Sequence, residues 1–275
     1  MPELPEVETI TRELLCVIVG KKLNKFSVFD AKKILRPRLA LPQKIVSVRR
    51  HGKYIVCEMN DGSRCLIHLR MTGELLLGRQ IARRKHERAR FYFHDGSTLR
   101  FVDVRRFGTI RWLRRGDNLP ALGLEPLSPE FTPRAFCEVL RKTSRPIKSI
   151  LLDQRFVAGI GNIYADESLW MAKIHPRRNG NGLSGAEARR LVRAIKKVLR
   201  QAIKKGGFTL RDYRRIDGRF GSYQNSRKAY AREGLLCLPR AGSRGFRCRA
   251  KIRRIKIGGR SSYFCPACQR ANLRT

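Results

Sequence analysis

The chain has 275 residues, of which 42% are apolar, and this is enough for two modest domains or one large domain with a hydrophobic core. Disordered and fibrous folds are therefore excluded. The 61 Lys and Arg residues against 22 Asp and Glu residues give a formal net charge of +39. Because self-repulsion on this scale opposes a compact state, we expect the charge to serve a polyanionic partner.

The N-terminal sequence predicts neither secretion nor membrane insertion. Residues 1–8 are acidic where a secretory signal would be cationic, and no segment approaches the roughly 18 to 20 uninterrupted apolar residues of a membrane span. We therefore expect a cytoplasmic, nucleoid-associated protein with no membrane partner. In that compartment the eight cysteines are thiols or metal ligands rather than disulfides.

The first part of the chain predicts one helix followed by antiparallel strands. Between Pro5 and Gly20, five apolar residues recur at helical spacing: Val7, Ile10, Leu14, Val17 and Ile18. From about residue 44 to 115, short β-branched and aromatic runs follow one another. Asp61-Gly62 and Asp95-Gly96 lie between such runs and predict tight hairpins. An antiparallel sandwich or barrel is the expected result.

Helices dominate after the proline-rich segment 119–133. Thr132 is a predicted N-cap, with Pro133 in the first helical position. A later apolar helix has Asn162 as its predicted cap, and another is predicted to begin with a capping box, which Ser184 and Glu187 would form. Beyond about residue 230 the sequence returns to two short strands, RRIKI and SSYFC, on either side of a Gly-Gly-Arg turn.

Six segments, taken in order, resemble the formamidopyrimidine-DNA glycosylase family. They are PELPEVETI at 2–10, HGKYI at 51–55, HLRMTG at 68–73, DVRRFG at 103–108, LLDQRFVAGIGNIYADE at 151–167 and GGRSSYFCPACQ at 258–269. The resemblance extends nearly from end to end. Endonuclease VIII, the sister family, typically begins with PEGPE, so Leu4 favours the first family.

The resemblance implies a two-domain α+β fold. It places a catalytic antiparallel β-sandwich with a leading helix at 1–118 and a linker at 119–132. A helical DNA-binding domain of the helix-two-turn-helix type follows at 133–229, and a zinc-ribbon β-hairpin at 230–275.

The N-terminal motif suits a lyase that uses an amine as its nucleophile. Once Met1 is removed, Pro2 presents a secondary amine, and α-amino groups titrate near ~7.7 to 8.0 against ~10.4 for lysine. An iminium formed from a secondary amine has no N–H proton to lose, so it stays cationic and accepts electrons during β-elimination. The resemblance assigns Glu3 to proton transfer at the sugar ring oxygen. Glu6 either holds the Pro2 amine or complements the dipole of the first helix.

A damaged base is reachable only after it rotates out of the duplex, and side chains that fill the hole offset the cost. In the family a Met, an Arg and a Phe do this, and the resemblance assigns the role to Met71, Arg105 and Phe107. Without the resemblance, Met71 and Phe107 would be interpreted as core residues. The family usually has Pro where this chain has Val104, and all three functional side chains are still present.

Further DNA contacts follow from the resemblance alone. It assigns phosphate contacts beside the lesion to Lys53, His86, Lys148 and Asn162, and it sends Arg260 into the minor groove to hold phosphate or base. Lys53 and Arg260 are also expected to assist the chemistry. From the residue types alone, Lys53 is equally an edge-strand lysine, His86 a solvated histidine and Asn162 a helix cap.

Two further elements are expected around the extruded base. Residues 206–223 resemble the mobile loop that closes over an oxidised purine, with flexibility supplied by Gly218 and Gly221. Glu167 resembles a residue of the base pocket, although an ordinary helical carboxylate is the simpler interpretation.

The cysteine cluster near the C-terminus predicts a zinc ribbon with one departure from the family. Cys265-x2-Cys268 and the sixteen-residue gap back to Cys248 are intact, whereas ten residues instead of two separate Cys237 from Cys248. A longer loop weakens a chelate only slowly, so we expect one structural zinc ion held by four thiolates. A ribbon without metal is the alternative.

The sequence therefore predicts a monomeric, bifunctional DNA glycosylase and abasic-site lyase of base excision repair, acting on damaged double-stranded DNA. It would excise 8-oxoguanine and formamidopyrimidines through a Pro2 Schiff base and cleave the strand by β,δ-elimination, without a diffusible cofactor. Two alternatives stay open. One is an endonuclease VIII-like specificity for oxidised pyrimidines, and the other is a non-catalytic basic DNA-binding protein on the same scaffold.

Overall fold

The computed structural model describes residues 1–37, 40–80, 82–209, 213–238 and 248–271. Contacts divide the chain into two compact units. The first comprises Met1–Pro120 and Ala202–Gln224, and the second comprises Ala121–Gln201 and the described residues from Asn225 onward. The boundaries drawn from the sequence at 118, 132 and 229 stay a prediction.

The first unit begins with helix α1 (Leu4–Ile18), as the periodicity predicts. Glu3 and Glu6 form a capping box at its start, and Pro5 lies in the first turn, where its missing N–H costs no hydrogen bond. The predicted apolar face is buried along its length, since Val7, Ile10, Leu14 and Ile18 are all buried. The helix therefore belongs to the core of this unit.

Eight antiparallel strands form two layers. They are β1 (Lys22–Val28), β2 (Gln43–His51), β3 (Tyr54–Met59), β4 (Arg64–His68), β5 (Gly73–Gly78), β6 (Glu87–Phe93), β7 (Thr98–Asp103) and β8 (Thr109–Leu113). The hydrogen-bonded order is β5-β7-β6-β1-β2-β3-β4-β8. Only two residue pairs join β1 to β2, and the strands on either side of this link form the two layers of the predicted sandwich.

The two Asp-Gly pairs form the predicted hairpins. Gly62 and Gly96 have φ values of 81° and 77°, in the left-handed region that glycine adopts without strain. Each preceding aspartate accepts hydrogen bonds from the backbone and the hydroxyl of a serine, Asp61 from Ser63 and Asp95 from Ser97. These turns fix the β3–β4 and β6–β7 registers.

The core of the first unit lies between the two layers and α1. Both layers contribute fully buried side chains, among them Ile55, Ile67, Leu75 and Phe101. An aromatic group of Phe26, Phe91 and Trp112 packs against this core, with ring centroids 4.6 to 6.3 Å apart. This packing supports the loops at the strand ends, where the candidate site lies.

The second unit contains α2 (Pro133–Arg141), α3 (Ile147–Leu152) and α4 (Asn162–Ala172), as well as most of α5 (Gly185–Lys204). The Thr132 side chain accepts a hydrogen bond from the Ala135 amide at 3.1 Å, which confirms the predicted cap. Ser184 and Glu187 exchange the two bonds of the predicted capping box.

The predicted cap of α4 is wrong by one residue. Gly161 is the N-cap, with extended φ and ψ of −130° and −160°, and Asn162 is the first helical residue. Because Asn162 already has helical backbone angles, its side chain is not in the capping position.

The C-terminal ribbon is the predicted hairpin of β9 (Arg253–Ile257) and β10 (Arg260–Phe264). Gly258 and Gly259 have φ values of 53° and 74° and make its two-residue turn. Together these elements confirm the two-domain α+β class. Among the described residues, no helix is both long and apolar enough to cross a membrane.

We expect Gly96→Ala to destabilise the first unit by about 1 kcal/mol, because alanine is strained at this positive φ. Gly78→Ala is the matched control, since a Cβ there meets no atom within 4 Å and its φ lies outside the left-handed region. The measurement is the thermal melting temperature of both variants. Equal melting temperatures would contradict the prediction.

Candidate active site and metal centre

The N-terminal residues are packed into the first unit. Pro2 is buried, and Glu3 and Glu6 are 3% and 1% exposed. The Glu6 carboxylate accepts hydrogen bonds from the Glu3 amide at 2.8 Å and from the Phe208 amide at 2.7 Å. Glu6 thus fixes the backbone that carries Pro2 and Glu3, and joins it to the segment that follows α5.

Lys53 lies at the turn between β2 and β3, directly after Gly52, and is 7% exposed. It is close enough to His68, the last residue of β4, for its charge to act on the His68 ring. Burial, reinforced by the charges of Arg70 and Lys53, lowers the pKa of His68 to about 3. His68 is therefore neutral at physiological pH, although it lies among cations.

Two loops carry the predicted hole-filling side chains. The first, residues 69–72, joins β4 to β5 and carries Met71; the second, residues 104–108, joins β7 to β8 and carries Arg105 and Phe107. Met71 is 38% and Phe107 41% exposed, so neither side chain belongs to the core and both are accessible to a partner. The Arg105 guanidinium lies 4.8 Å from the centroid of the Phe107 ring.

Both loops border one cleft of about 830 Å³. Met1, Met71 and Phe107 line it, so the structure brings the N-terminus and two predicted hole-filling residues to the same cavity. Its other walls carry four basic side chains and four further residues: Lys32, Lys33, Arg70, Arg111, Leu35, Thr109, Trp112 and Leu113. The cleft therefore combines apolar surface with a concentration of positive charge.

Each loop contains one non-glycine residue in the left-handed region, Arg70 with φ of 55° and Arg106 with φ of 60°. Such conformations persist only where the surroundings hold them. The Arg70 amide donates to His68 Nδ1 at 3.0 Å, and the Arg106 side chain donates to Asp30 at 2.5 Å. The neutral His68 ring is thus the acceptor that holds the Met71 loop.

His86 lies in the turn before β6 and is half-buried, with a φ of 64°. Its carbonyl oxygen accepts from the Asp103 amide at 3.0 Å, and its Nδ1 is 3.5 Å from the Arg88 guanidinium. The turn places the ring in a basic environment. Its phosphate contact stays a prediction.

The segment expected to act as a mobile loop is packed where it is described; residues 210–212 lie outside the described residues. Tyr213 and Ile216 are buried, and the Ile216 carbonyl accepts from the Leu77 amide at 3.1 Å. A Cβ on Gly221 would lie 2.3 Å from the Gly207 carbonyl oxygen. Gly221 therefore permits close backbone approach, whereas the flexibility expected of it has no support here.

In the second unit, Asn162 begins α4 beside the Gly159-Ile160-Gly161 turn. Its side-chain oxygen is buried and accepts no hydrogen bond from the described residues. Arg260 is exposed at the start of β10, paired with Ile257. Arg260 is thus accessible to DNA, whereas the buried Asn162 oxygen is not, and the phosphate contact of Asn162 stays a prediction.

Lys148 lies in the interior of the second unit. Its ammonium is fully buried and donates to Asp166 Oδ1 at 2.7 Å and to the Ser261 carbonyl at 2.8 Å. A phosphate would reach it only if this ion pair opened, so its DNA contact stays a prediction. The arrangement ties α3 and α4 to the strand that carries Arg260.

Glu167 is also an internal anchor. Its carboxylate is 2% exposed and accepts four hydrogen bonds of 2.8 to 3.0 Å from the amides of Lys228, Ala229 and Tyr230. Burial raises the pKa of Glu167, and burial raises the pKa of the adjacent Asp166 to about 7. Asp166 Oδ2 accepts from the Tyr263 amide at 3.1 Å. Two neighbouring carboxylates of α4 therefore hold the chain ahead of Cys237 and just ahead of Cys265.

Sequence reasoning missed Asp166 as an anchor and assigned Glu167 to the base pocket. A signal was available, because the apolar residues of α4 do not lie on a single face, which indicates a helix that is buried on more than one side. Charged residues inside it must then find protein partners. The contact of Trp170, one turn further on, with the Cys237 sulfur was also missed, because it depends on how the ribbon packs against α4.

The four ribbon cysteines converge. Their sulfur atoms all lie within 4.8 Å of one another, and the sulfurs of Cys248 and Cys265 are 3.6 Å apart. Four thiolates at ~2.3 Å from a tetrahedral zinc ion have similar separations. The Trp170 indole donates to the Cys237 sulfur at 3.3 Å, and the Cys268 amide donates to the Cys265 sulfur at 3.4 Å. Zinc would serve to hold the ribbon together.

The wider spacing between Cys237 and Cys248 does not separate their thiols. The intervening segment is outside the described residues from 239 to 247, but both cysteines belong to the cluster. The residues present fit the predicted four-cysteine zinc site.

Three family models match the chain. They are described as formamidopyrimidine-DNA glycosylase N-terminal domain (residues 1–110), formamidopyrimidine-DNA glycosylase H2TH domain (residues 122–214) and a zinc finger found in FPG and IleRS (residues 247–271). With the cysteine geometry, the last match confirms the prediction of one structural zinc ion.

Named relatives match over almost the whole chain. A formamidopyrimidine-DNA glycosylase of Desulforamulus reducens is 43% identical, covering 98% of this chain and 100% of its own length. The crystal structure of the MutM (Fpg) protein of Thermus thermophilus has a TM-score of 0.87 at 40% identity, covering 98% of each chain. A Lactococcus lactis FPG mutant in complex with Fapy-dG-containing DNA has a TM-score of 0.87 at 38% identity, covering 98% of this chain and 100% of that one.

We expect about one equivalent of zinc in the purified protein, because a folded ribbon retains its structural metal. Cys237→Ser should lower the content below half an equivalent, since it removes one thiolate. Cys137→Ser, outside the cluster on α2, is the matched control and should keep the metal. Metal analysis by mass spectrometry gives the content, and full occupancy in Cys237→Ser would contradict the assignment.

The pKa of His68 predicts a pH-dependent stability. As the pH falls below the unfolded value of about 6.5, the unfolded chain binds a proton at this histidine and the folded chain does not until about pH 3. Stability therefore falls with pH in this window, by up to ~1.4 kcal/mol per unit. His68→Asn keeps an acceptor for the Arg70 amide and should flatten this slope in urea unfolding. Parallel curves for the two proteins would show that His68 does not cause it.

Proposed function

Because the chain belongs to the formamidopyrimidine-DNA glycosylase family, we propose that it excises oxidised purines from DNA and then cleaves the strand at the abasic site. It is a DNA glycosylase of base excision repair. The proposal of oxidised-purine excision and strand cleavage rests mainly on the shared cleft. There the N-terminus lies beside exposed Met71 and Phe107 among basic side chains.

Pro2 is the proposed nucleophile. After removal of Met1, its secondary amine attacks C1′ of the damaged nucleotide, the base leaves with the electrons of the bond to C1′, and the new ammonium nitrogen loses its proton. The bond from C1′ to the ring oxygen O4′ then breaks, O4′ takes up a proton, and the nitrogen lone pair forms the iminium with C1′. The iminium then accepts the electrons released when a C2′ proton is removed, and the 3′ phosphate departs by β-elimination. A second, δ-elimination releases the 5′ phosphate. Hydrolysis of the remaining iminium regenerates the amine.

Three further residues are proposed to assist this chemistry, one by proton transfer and two by contacts with the DNA. Glu3 adjoins the nucleophile on backbone that Glu6 fixes, which supports the proposal that its carboxylate exchanges a proton with the sugar ring oxygen. Lys53 is buried at the turn between β2 and β3 and would contact the phosphate beside the lesion. Arg260 would add a charge-assisted contact to the DNA.

Met71, Arg105 and Phe107 are proposed to fill the hole that the extruded nucleotide leaves. Two exposed apolar side chains can replace lost stacking, while the guanidinium can pair with the orphaned base. Asn162 at the start of α4 and His86 before β6 would hold phosphates, and Lys148 would do so if its ion pair opened.

The charge of +39 predicts binding that depends strongly on salt. Neutralising about six to ten phosphates lowers affinity by roughly 10³ to 10⁵ between 50 and 200 mM salt. The same electrostatic attraction would favour binding to undamaged DNA, so affinity alone does not measure specificity.

The proposed site of action is the chromosomal DNA of the cytoplasm. We propose that the protein acts as a monomer, because one chain supplies all the residues named.

Borohydride reduction in the presence of 8-oxoguanine duplex should trap a covalent adduct, and peptide mapping should place it at Pro2. The intact mass should show that Met1 has been removed. Protein acetylated at its N-terminus should form no adduct, because an amide nitrogen is not nucleophilic.

An adduct at Lys53 would make that lysine the nucleophile, and no adduct at all would favour a non-catalytic DNA-binding protein. Faster trapping on an oxidised-pyrimidine duplex would favour the endonuclease VIII-like specificity.

Phe107→Ala should slow base excision from an 8-oxoguanine duplex by about tenfold or more, because unstacking a base step costs a few kcal/mol that the ring no longer offsets. Cleavage of an abasic duplex should fall much less. Single-turnover rates on the two substrates provide the comparison. Equal losses on both would contradict the hole-filling role.

A further inference from the structure

Asp103 lies between the two loops that carry Met71, Arg105 and Phe107. It is the last residue of β7 and pairs with Gly73, the first residue of β5. On the other layer, His68 at the end of β4 pairs with Thr109 at the start of β8. Both loops therefore cross from one layer to the other at the same end of the sandwich, side by side.

The Asp103 carboxylate bonds to both loops. Its Oδ1 accepts from the Thr72 hydroxyl at 2.5 Å and from the Arg105 amide at 3.2 Å, and its Oδ2 accepts from the Gly108 amide at 2.7 Å. The Arg105 amide also points to the Thr72 hydroxyl, at 3.1 Å. One carboxylate and one hydroxyl thus link loops more than thirty residues apart in sequence.

The environment gives this link its strength. Asp103 is 1% exposed, so its oxygens depend on protein donors and each bond is worth more than it would be in water. Gly108 allows the approach, because a Cβ there would lie 2.4 Å from Cζ of Phe101 and 3.1 Å from Asp103 Oδ2. The Asp103 backbone is itself fixed by the His86 carbonyl and the Arg88 side chain.

We infer that Asp103 and Thr72 are positioning residues, which set the distance between Met71 on one loop and Arg105 and Phe107 on the other, so that the three enter the DNA stack as one rigid wedge. The three side chains adjoin the bonded positions: Met71 precedes Thr72, the Arg105 amide is itself a donor, and Phe107 precedes Gly108. Neither positioning residue needs to touch DNA. The inference rests on the hole-filling role in the proposed function.

In the absence of DNA, the two loops need such a link to keep their conformation. Met71 and Phe107 are each about two-fifths exposed, so packing alone does not hold them. Arg70 and Arg106 are in strained backbone conformations that need support. A wedge that was ordered only on insertion would lose conformational entropy at that moment, and a wedge that is already held does not.

Thr72→Val tests the link, because valine keeps the shape of threonine and removes the bridging hydroxyl. The probe is a duplex with 2-aminopurine opposite a tetrahydrofuran abasic analogue, whose fluorescence rises when the orphaned base is unstacked without any chemistry. We expect Thr72→Val to slow that rise about three- to tenfold, the equivalent of one hydrogen bond. Thr72→Ser, which restores the hydroxyl, should recover to within about twofold of the parent.

The control is Thr98→Val. It removes a threonine hydroxyl elsewhere in the same unit, which donates to the Gly78 carbonyl at 3.1 Å, and it should leave the unstacking rate unchanged. In a double-mutant cycle, the effect of Thr72→Val should largely disappear in a Phe107→Ala background, because there is then no ring to position. A merely structural role would slow unstacking by the same factor in both backgrounds.

The outcomes separate the two proposals. An unstacking rate for Thr72→Val equal to that of the parent, or an equal loss with and without Phe107, overturns the positioning role whatever the trapping experiment gives. Slower unstacking with rescue by serine supports it, even if borohydride traps no adduct and the lyase mechanism fails. Asp103→Asn, whose single side-chain oxygen cannot replace both Oδ1 and Oδ2 as acceptors, should slow unstacking at least as much as Thr72→Val.

Discussion

The hydrogen bond from a backbone amide to a buried carboxylate is the interaction on which the functional loops of this chain depend. A carboxylate taken out of water must have its oxygens satisfied by protein donors, and an amide at a loop or helix start lacks a partner within the regular backbone hydrogen-bond pattern. Glu6 holds the N-terminus in this way, Asp103 the loops of the sandwich, and Asp166 and Glu167 the chain around the ribbon. In each case the bonded backbone adjoins a residue with a proposed role on DNA or zinc.

This arrangement also affects the charge of the surface, because it buries several of the acidic residues. Acidic residues are outnumbered almost three to one, and several of the few present are withdrawn into the interior: Glu3, Glu6, Glu87, Asp103, Asp166 and Glu167. The surface is thereby left with an even larger excess of positive charge than the composition suggests. A polyanion such as DNA therefore meets few competing carboxylates, while the interior gains anchors that few neutral side chains could replace.

Local rules of sequence predicted the elements well, and the reason is that each signal acts over a few residues. Asp95-Gly96 forms its turn and Thr132 caps α2 because neighbouring atoms alone decide these conformations. Asn162 missed its capping position by one residue because Gly161 fits the extended cap equally well. The cysteines were predictable despite the insertion, since a metal site needs convergence of four thiols more than a fixed spacing.

The anchors could not be predicted in the same way. Thr72 meets Asp103 only because β5 and β7 pair in one register, and nothing within either segment specifies that register. Lys148 resembles a DNA contact by sequence, yet burial places it on Asp166. The resemblance to a family supplied the residues that touch DNA, whereas the residues that hold them had to be found from contacts.

The indole of Trp170 has a consequence for spectroscopy. The chain has two tryptophans, one in each unit: Trp112 packs among phenylalanine rings in the first, while Trp170 donates to a sulfur atom of the ribbon in the second. Because that sulfur belongs to the four-cysteine cluster, loss of a bound zinc ion would change the charge on the acceptor of the indole hydrogen bond. We therefore expect the fluorescence of Trp170 to respond to the state of the ribbon, while Trp112 responds to the sandwich.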